Sequence, residues 1–400
     1  MMKSVVVRAV EVAISLVKHR RNQEKKDDGE KKCLFLPLFG MIGDGVLFMD
    51  ALSGYLSYFH DELGYDIVIG CRRQVGELIK LVYPDKAYEI IEMDRNRMQK
   101  SVREFWDCLN RLNGYDFDII INVRERMLDE NILIYALSAS RKITFRNNTK
   151  EPKAFVSRFF HRNTYGGIFY ADPDSEQYRR YGKLLKELGY SGYKSHVSRI
   201  PVISGRMAKS KPYFVVSPGA SSEKKCWPQD RFSEICDKII EEYNLDLYIS
   251  GSDIDQKYAD TIKVNMKNRD RVYNYCGSTE MDEWIELLRN ARIVISNDSA
   301  SVHIAASVQT PAVCIAPQHD GFRFLPYQPD EVMPDDVLPY SVRCDRVNCF
   351  DCRINNSRHE TYADPECRKS IEQKRVMKCI EKIQVKDVLD AVYKMMSRYT

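Results

Sequence analysis

Outside its first 32 residues, the 400-residue chain has no excess of either charge. Those 32 residues hold nine Lys or Arg against five Asp or Glu, which equals the formal net charge of +4 of the whole chain. A protein that binds nucleic acid through a folded domain carries its basic excess on that domain. The composition therefore argues against a nucleic-acid partner, whereas the basic N-terminal arm indicates an acidic partner or surface.

The chain also lacks the marks of secretion and of membrane spans. Arg8 and Glu11 interrupt the apolar N-terminal stretch, and no small-residue cleavage pattern follows it. The longest run without Asp, Glu, Lys or Arg begins at Ser299, and its hydroxyl residues and prolines are typical of a helix, a turn and a strand. We therefore predict a cytoplasmic protein.

A small disulfide scaffold and global disorder are excluded as well, and the cysteines are expected to be buried thiols or metal ligands. The 12 Cys are scattered through a chain that we expect in a reducing compartment. Proline is scarce, at 15 residues, whereas 44% of the residues are hydrophobic. Because 400 residues exceed what one hydrophobic core usually organises, we expect two domains.

Short apolar runs alternate with helical patterns, which is typical of βαβ units on a parallel sheet. Predicted strands lie at 33–38, 66–70, 88–92, 118–121, 213–217, 245–249, 292–296 and 312–315. Predicted helices lie near 45–60, 74–83, 95–112, 129–139, 230–243, 254–267, 280–290 and 299–308. The fold class is therefore α/β, with two doubly wound Rossmann-like domains.

This pattern predicts four segments. They are an amphipathic helix and basic arm at 1–32, a first domain at 33–205, a second at 206–340, and a Cys-containing tail with a final helix at 341–400. A polar stretch at 204–212 is the candidate linker. The wide apolar face of the first helix suits either a membrane interface or packing on this protein or on a second copy.

Open parallel sheets bind ligands outside the carboxyl ends of their strands, where three loops stand out. The first, 39–45, places Asp44 among glycines at a helix start. It lacks a complete dinucleotide fingerprint, and no P-loop Lys follows it. Asp44 is either a helix cap or a general base.

The second and third loops suit a diphosphate. After the strand that ends at Ser217, small residues precede Lys224 and Lys225, so that backbone N–H groups and an ammonium can share negative charge, although exposed lysines look the same. At 297–303, a strand-to-helix turn offers free N–H groups to an anion, although capping alone explains its Asp and Ser. His303 is either structural or catalytic.

Together these residues resemble glycosyltransferase family 9, the ADP-heptose:lipopolysaccharide heptosyltransferases. The matching motifs are Gly-Asp-Gly-Val-Leu at 43–47, Ser-Pro-Gly-Ala at 217–220 with Lys-Lys-Cys-Trp-Pro at 224–228, Cys-Gly-Ser-Thr-Glu-Met at 276–281, and Asn-Asp-Ser-Ala-Ser-Val-His-Ile-Ala-Ala at 297–306. The resemblance runs from about Cys33 to the C-terminus. It implies a GT-B fold, with two domains facing a central cleft, inverting transfer, and no metal or other cofactor in catalysis.

The resemblance also implies roles for single residues. Asp44 corresponds to the family's base, Lys225 to its phosphate- and sugar-contacting lysine, and Asp298 to its donor-sugar acid. The remaining donor contacts that it implies are Ser217, Gly219, Asp255 near the ribose, Thr279 and Met281 around the base, the backbone of Ser299, Ala300 and Ser301 at the diphosphate, and His303. One departure is that Ala300-Ser301 stands where the family usually has Gly-Pro or Gly-Leu.

The chemistry is coherent without the family name. Displacing a nucleoside diphosphate from an anomeric carbon needs a carboxylate for the acceptor proton and positive charge at the leaving group. Asp44 and Lys225 supply these. Two Asp-x-Asp strings, 116–118 and 253–255, are of the kind that suggests a metal-dependent transferase. The first string opens an apolar strand, so we reject metal catalysis and predict metal-independent transfer.

The tail carries Cys349, Cys352, Cys367 and Cys379, which suit a structural Zn or Fe site or, alternatively, packing as unpaired thiols. We expect this cysteine cluster to lie outside every donor and acceptor loop. Residues 153–162 mix cations and aromatics, which suits a phosphorylated glycolipid acceptor or an ordinary half-buried helix.

The sequence therefore predicts transfer of a sugar, heptose from ADP-heptose, to a lipopolysaccharide core or related glycan. The alternatives are another nucleotide sugar, a protein acceptor, or a non-catalytic protein that binds sugar nucleotides. The expected partners are the nucleotide-sugar donor and a glycan or glycolipid acceptor. Peripheral contact with the inner face of the cytoplasmic membrane and a homo-oligomer are left open.

Overall fold

The computed structural model describes residues 32–124, 128–146, 152, 154–172, 175–203, 209–318, 323–344, 373 and 375–399. The predicted N-terminal helix lies outside them. The chain divides into two compact units at Lys194 and Ser195, with residues 46–49 and 176–178 grouped with the second unit. The domain boundary predicted at 205/206 stays a prediction, because 204–208 lie outside the described residues.

The N-terminal unit is built on a parallel six-stranded sheet of order β3-β2-β1-β4-β5-β6. Its strands are β1 Lys32–Leu38, β2 Tyr65–Cys71, β3 Glu89–Glu92, β4 Phe117–Asn122, β5 Ala139–Arg146 and β6 Gly167–Tyr170. Its helices are α1 Ile42–Tyr55, continued by a π-helical segment to Glu62, α2 Arg73–Val82, α3 Arg95–Lys100, α4 Val102–Leu112, α5 Leu128–Ala136, α6 Phe155–Asn163 and α7 Gln177–Glu187.

The C-terminal unit repeats this plan with the parallel order β12-β11-β10-β7-β8-β9. Its strands are β7 Tyr213–Ser217, β8 Asp246–Ile249, β9 Val272–Asn274, β10 Val294–Asn297, β11 Ala312–Ile315 and β12 Tyr340–Val342. Its α-helices are α8 Gln229–Tyr243, α9 Gln256–Asn265, α10 Met281–Arg289, α11 Ala300–Ser307, α12 Lys378–Glu381 and α13 Val385–Tyr399, and short 3-10 turns lie at Glu223–Lys225, Asp253–Asp255 and Arg269–Arg271.

Both sheets have the doubly wound order in which the strand sequence reverses beside the first strand of the unit. The reversal lies between β1 and β4 in one sheet and between β7 and β10 in the other. The central strands are continuous apolar runs because both of their faces are buried; Leu34, Phe35 and Leu36 are fully buried. The α/β, doubly wound prediction is confirmed.

Some predicted elements differ from the observed ones. The predicted helix at 95–112 is two helices, because Ser101 has extended backbone and its hydroxyl caps the second helix at the N–H of Glu104. β5, β6, β9 and β12 were not predicted. Three of these are edge strands, which need fewer apolar residues because fewer of their side chains are buried.

The C-terminal segment is part of the core of the second unit. α13 packs there with the fully buried Trp227, whose Nε1 donates to the carbonyl of Ile383 at 3.0 Å. The Met377 N–H donates to the carbonyl of Lys224 at 2.9 Å. That the cysteine cluster lies outside every donor and acceptor loop stays a prediction, because three of its four cysteines lie outside the described residues; the segment that follows them is bonded to the loop that carries Lys225. No helix among the described residues is long and apolar enough to cross a membrane.

Candidate functional site

Asp44 lies in the first turn of α1, after the carboxyl end of β1. Its Oδ2 accepts the backbone N–H of Met41 at 3.1 Å, and its Oδ1 accepts Nη1 of Arg124 at 2.8 Å. The side chain is 15% exposed. A carboxylate has about four lone-pair sites, so the capping bond to Met41 does not exclude a role as a base.

Arg124, which the sequence reasoning missed, lies two residues beyond β4, the neighbour of β1. It is buried, and its backbone N–H donates to Oδ1 of Asn122, whose amide donates to the Tyr165 hydroxyl at 2.8 Å. Burial lowers the pKa of Arg124, but Asp44 and Tyr181 raise it, and the net shift is upward. The signal in the sequence is an Asn-Val-Arg string that begins at the last residue of a buried strand.

On the C-terminal unit, the structure brings together Lys225 and Asp298, two of the predicted donor residues. Lys225 Nζ lies 3.2 Å from Asp298 Oδ2, and the two side chains are 13% and 21% exposed. Lys225 lies in the 3-10 turn after β7, and Asp298 directly follows β10, the strand beside β7. The pair therefore places an ammonium and a carboxylate at the strand reversal, where ligands of such sheets bind.

Asn297 joins the two loops that carry this ion pair. It is fully buried at the end of β10. Its amide donates to the carbonyl of Pro218 at 2.6 Å, and its Oδ1 accepts the N–H of Trp227 at 3.1 Å. The sequence reasoning quoted Asn297 within a motif but gave it no role; its position between two strand-end loops shows that it organises both.

The start of α11 follows this pair. Ser299 is the N-cap residue of α11, and its hydroxyl pairs with that of Ser296 at 2.8 Å. Ala300 and Ser301 form the first turn, and Ser301 is buried. The N–H groups of a first helical turn lack intrahelical partners and can bind an anion. The diphosphate role of residues 299–301 stays a prediction.

His303 is buried in α11 and packs against Tyr327. Its Nδ1 lies 2.6 Å from the Tyr327 hydroxyl, and the two rings stack. Burial, followed by the nearby Tyr178, raises the pKa of Tyr327 well above its usual value, so its hydroxyl stays protonated. This contact is the structural role that the sequence left open, and the donor role of His303 stays a prediction.

Asp255 lies against the predicted donor loop after β7. Its Oδ2 accepts the N–H and hydroxyl of Ser252 at 2.9 and 2.8 Å. A Cβ added at Gly219 would lie 2.3 Å from Asp255 Oδ1, so the carboxylate packs directly against the backbone of this glycine. The Ser217 hydroxyl, buried nearby in the sheet, pairs with that of Ser250 at 2.8 Å. The carboxyl ends of β7 and β8 are thereby linked.

The loop of Thr279 and Met281 lies beside the same turn. Gly277 has φ +68° and donates its N–H to the carbonyl of Gly251 at 2.9 Å, and an added Cβ would clash with Asp253. Thr279 is partly exposed, and Met281 is buried at the start of α10. The loops after β8 and β9 therefore meet, and the predicted roles of Thr279 and Met281 at the base and of Asp255 near the ribose stay predictions.

Only one of the four predicted metal ligands, Cys379, lies among the described residues. Cys379 is buried on α12, in the core of the second unit, whereas Cys349, Cys352 and Cys367 lie outside the described residues. Within the described ranges, no cluster of three or more His, Cys, Asp or Glu has the arrangement of a metal site. Metal binding by the tail therefore stays a prediction.

Residues 106–335 match the sequence pattern of glycosyltransferase family 9 (heptosyltransferase). Among curated proteins, the chain is similar to lipooligosaccharide heptosyltransferase 2 of Haemophilus ducreyi, with 28% identity over 111 residues, which cover 27% of this chain and 32% of the relative. The chain spans less than two thirds of the length of the curated relatives that it matches.

Solved structures show the same fold. A family 9 glycosyl transferase from Veillonella parvula has a TM-score of 0.67 at 15% identity, covering 93% of this chain and 99% of its own. The dodecameric iron-containing heptosyltransferase TibC of Escherichia coli, in complex with ADP-D-β-D-heptose, has a TM-score of 0.53 at 14% identity, covering 93% and 78%. The predicted GT-B fold is confirmed, while the central cleft stays a prediction. Because the family pattern matches more than half of its length, the chain belongs to glycosyltransferase family 9.

Proposed function

We propose that the protein is an inverting, metal-independent glycosyltransferase that transfers heptose from ADP-heptose to a lipopolysaccharide core or related glycan. The observation that carries the proposal is the Lys225–Asp298 pair at the strand reversal, within the part of the chain that matches the family. The heptosyltransferase relatives and the ADP-heptose bound to TibC support the choice of donor.

In the proposed step, Asp44 accepts the proton of the acceptor hydroxyl as that oxygen bonds to the anomeric carbon of the donor. The bond from this carbon to the diphosphate oxygen breaks, and its electron pair leaves with ADP. Attack opposite the leaving group inverts the anomeric carbon. Lys225 and the first N–H groups of α11 stabilise the charge on the departing diphosphate, and Asp298 orients Lys225 and accepts from a sugar hydroxyl.

Metal independence is supported by the contacts of the Asp-x-Asp strings. Asp118 Oδ2 accepts the N–H of Cys33 at 2.8 Å, and Asp255 Oδ2 accepts from Ser252. Asp118 therefore links two neighbouring strands, and Asp255 stabilises its own turn. A structural metal in the tail is a separate part of the proposal: four Cys form a donor set that suits Zn or Fe, and TibC contains iron.

The location follows from the proposed acceptor. A lipopolysaccharide core acceptor requires access to the inner face of the cytoplasmic membrane, and the basic arm at 1–32 suits anionic headgroups there. Cytoplasmic location and peripheral membrane contact are therefore part of the proposal.

Single-turnover assays test this function. ADP-heptose and heptose-lacking lipopolysaccharide core should give an inverted heptoside, and Asp44→Asn should slow transfer about 10²–10⁴-fold while ADP binding is kept. Asp61→Asn, at an exposed Asp paired with Lys86, is the matched control. Full activity of Asp44→Asn would contradict the assignment of Asp44 as the base. Activity with another nucleotide sugar alone would change the donor, and binding without turnover would indicate a non-catalytic protein.

Metal independence has its own test. EDTA should leave the initial rates of transfer unchanged, and rescue of lost activity by Mg²⁺ or Mn²⁺ would contradict metal independence.

A further inference from the structure

Asp44 and Arg124 form an ion pair at the carboxyl edge of the N-terminal sheet. β1 and β4 are neighbouring parallel strands, so residues that follow them lie at the same edge. Nη1 of Arg124 and Oδ1 of Asp44 are 2.8 Å apart, and the two side chains are 7% and 15% exposed. Such shielding from solvent makes the interaction stronger than that of a surface pair.

The carboxylate is held at both oxygens. Met41 N–H binds Oδ2 and Arg124 binds Oδ1, so the rotamer of Asp44 is defined by two bonds of known direction. Arg124 is held in turn, since its N–H bonds to Asn122, which bonds to Tyr165, and the Tyr165 hydroxyl donates to Asn131 at 3.0 Å. A chain of buried hydrogen bonds therefore fixes the backbone from which the Arg124 side chain reaches the carboxylate.

A second ion pair, between Arg95 and Asp129, does not share its cation with Asp44. Arg95 on α3 pairs with Asp129 at 2.7 Å and lies 3.5 Å from Glu130 on α5. Glu130 and, on α7, Tyr181 act on the charge of Arg124 more weakly than Asp44 does. Arg124 thus contacts Asp44 directly, whereas Arg95 contacts the acids of α5.

We propose that Arg124 is a positioning residue that keeps the partly buried Asp44 carboxylate ionised and oriented for proton abstraction. This inference rests on the proposed function, in which Asp44 is the base. Burial alone favours a protonated carboxyl, which cannot accept the acceptor's proton, and an adjacent cation reverses that preference. The pair therefore extends the working range of the base to lower pH, at the cost of some basicity.

The test is the pH profile of ADP release from ADP-heptose with heptose-lacking lipopolysaccharide core, in wild type, Arg124→Gln and Arg124→Lys. We expect the acid limb of kcat to move up by about 1–3 pH units in Arg124→Gln, and by less in Arg124→Lys, which keeps the charge. Binding of ADP, measured by calorimetry, should be unchanged. Arg271→Gln, which removes a partly buried arginine paired with Asp246 at 2.8 Å in the other unit, should leave the limb in place.

A uniform loss of rate at every pH, with an unmoved limb, would overturn the proposal and leave Arg124 a structural role only. If Arg124→Gln does not fold, Arg124→Lys decides: an acid limb that moves up by a smaller amount supports the proposal, and an unmoved limb, with or without an equal loss of rate at all pH values, contradicts it. The proposed function fails separately, when Asp44→Asn retains the wild-type rate and acid limb.

Discussion

At the scale of single residues, two adjacent lysines that look alike in the sequence have different surroundings. Lys225 pairs with Asp298 and is largely buried. Lys224 is partly exposed, and only its backbone is described in a bond: its carbonyl accepts the N–H of Met377. A side chain held by a carboxylate loses less conformational freedom when it binds a ligand. Lys225 is therefore the better candidate for the diphosphate contact.

Lys225→Ala should weaken ADP binding by about 1.5–3 kcal/mol, the range for a charge-assisted contact, as measured by titration calorimetry. Lys224→Ala is the matched control, because it removes the same charge one residue away, and it should change affinity by less than about 0.5 kcal/mol, as ordinary surface changes do. Equal effects of the two substitutions would show that only the general positive charge of the loop matters.

At the scale of elements, Asn297 connects the end of β10 with the loop after β7. Its two hydrogen bonds satisfy the buried carbonyl of Pro218 and the buried N–H of Trp227. Trp227 is bonded in turn to Ile383, near the start of α13. Three parts of the C-terminal unit that are distant in sequence are thereby tied together beside Lys225 and Asp298.

Asn297→Ala should lower the free energy of unfolding by about 2–4 kcal/mol, because two buried polar groups lose a partner at roughly 1–3 kcal/mol each. ADP binding should weaken as well, since both flanking loops carry predicted donor residues. Urea unfolding and calorimetry measure the two effects. Asn290→Ala, which removes one local bond to the Glu286 carbonyl, is the control. Unchanged ADP affinity in folded Asn297→Ala would show that the loops keep their shape without it.

At the scale of the whole molecule, most cysteines are inaccessible. Of the 12 Cys, nine lie among the described residues, and eight of these are buried while Cys33 is intermediate. Burial, followed by the charge of Glu92, raises the pKa of Cys71 to about 12, and burial raises that of Cys108 to about 11. Such thiols react slowly at neutral pH, because the thiolate is the reactive form.

If the tail binds a structural metal, native protein purified without added metal should contain about one Zn or Fe per chain, the stoichiometry of a four-thiolate site. Thiol titration should then find few fast-reacting groups until a strong chelator is added. Cys352→Ser should lower metal content and thermal stability together. Because Met377 bonds to the Lys225 loop, we also expect a moderate loss of ADP affinity. If the protein is fully stable without metal, the alternative holds, in which these cysteines pack as unpaired thiols.

Stability should fall at alkaline pH under reducing conditions. Unfolded thiols ionise near pH 9, whereas Cys71 and Cys108 keep their protons to about 12 and about 11 in the native state. Above pH 9 the unfolded chain therefore binds fewer protons, so the contribution is complete below pH 9 and is lost between about 9 and 12. In urea unfolding, Cys108→Ala should reduce the loss between pH 8 and 11 by about 2 kcal/mol. An identical pH dependence in the variant would contradict this assignment.

The sequence alone determined the fold class and the central strands, and it located the loops that we predict to bind the donor. Central strands of a doubly wound sheet are buried on both faces, so they read as apolar runs, and strand ends locate the ligand loops by topology. Asp44, Lys225 and Asp298 were singled out as candidates in these loops, and the family resemblance implied their roles. The break between α3 and α4 at Ser101 is also encoded locally, because the Ser101 hydroxyl caps α4 through the N–H of Glu104, only three residues later.

Only the tertiary structure decided which of these residues meet. Arg124 lies 80 residues from Asp44, and Asn297 lies 79 residues from Pro218. The attachment of the C-terminal segment to the Lys225 loop spans about 150 residues, from Lys224 to Met377. No periodicity or local motif encodes such contacts, because they follow from strand order and from burial of one element against another. An arginine after a strand therefore became the partner of the proposed base only when β1 and β4 were paired.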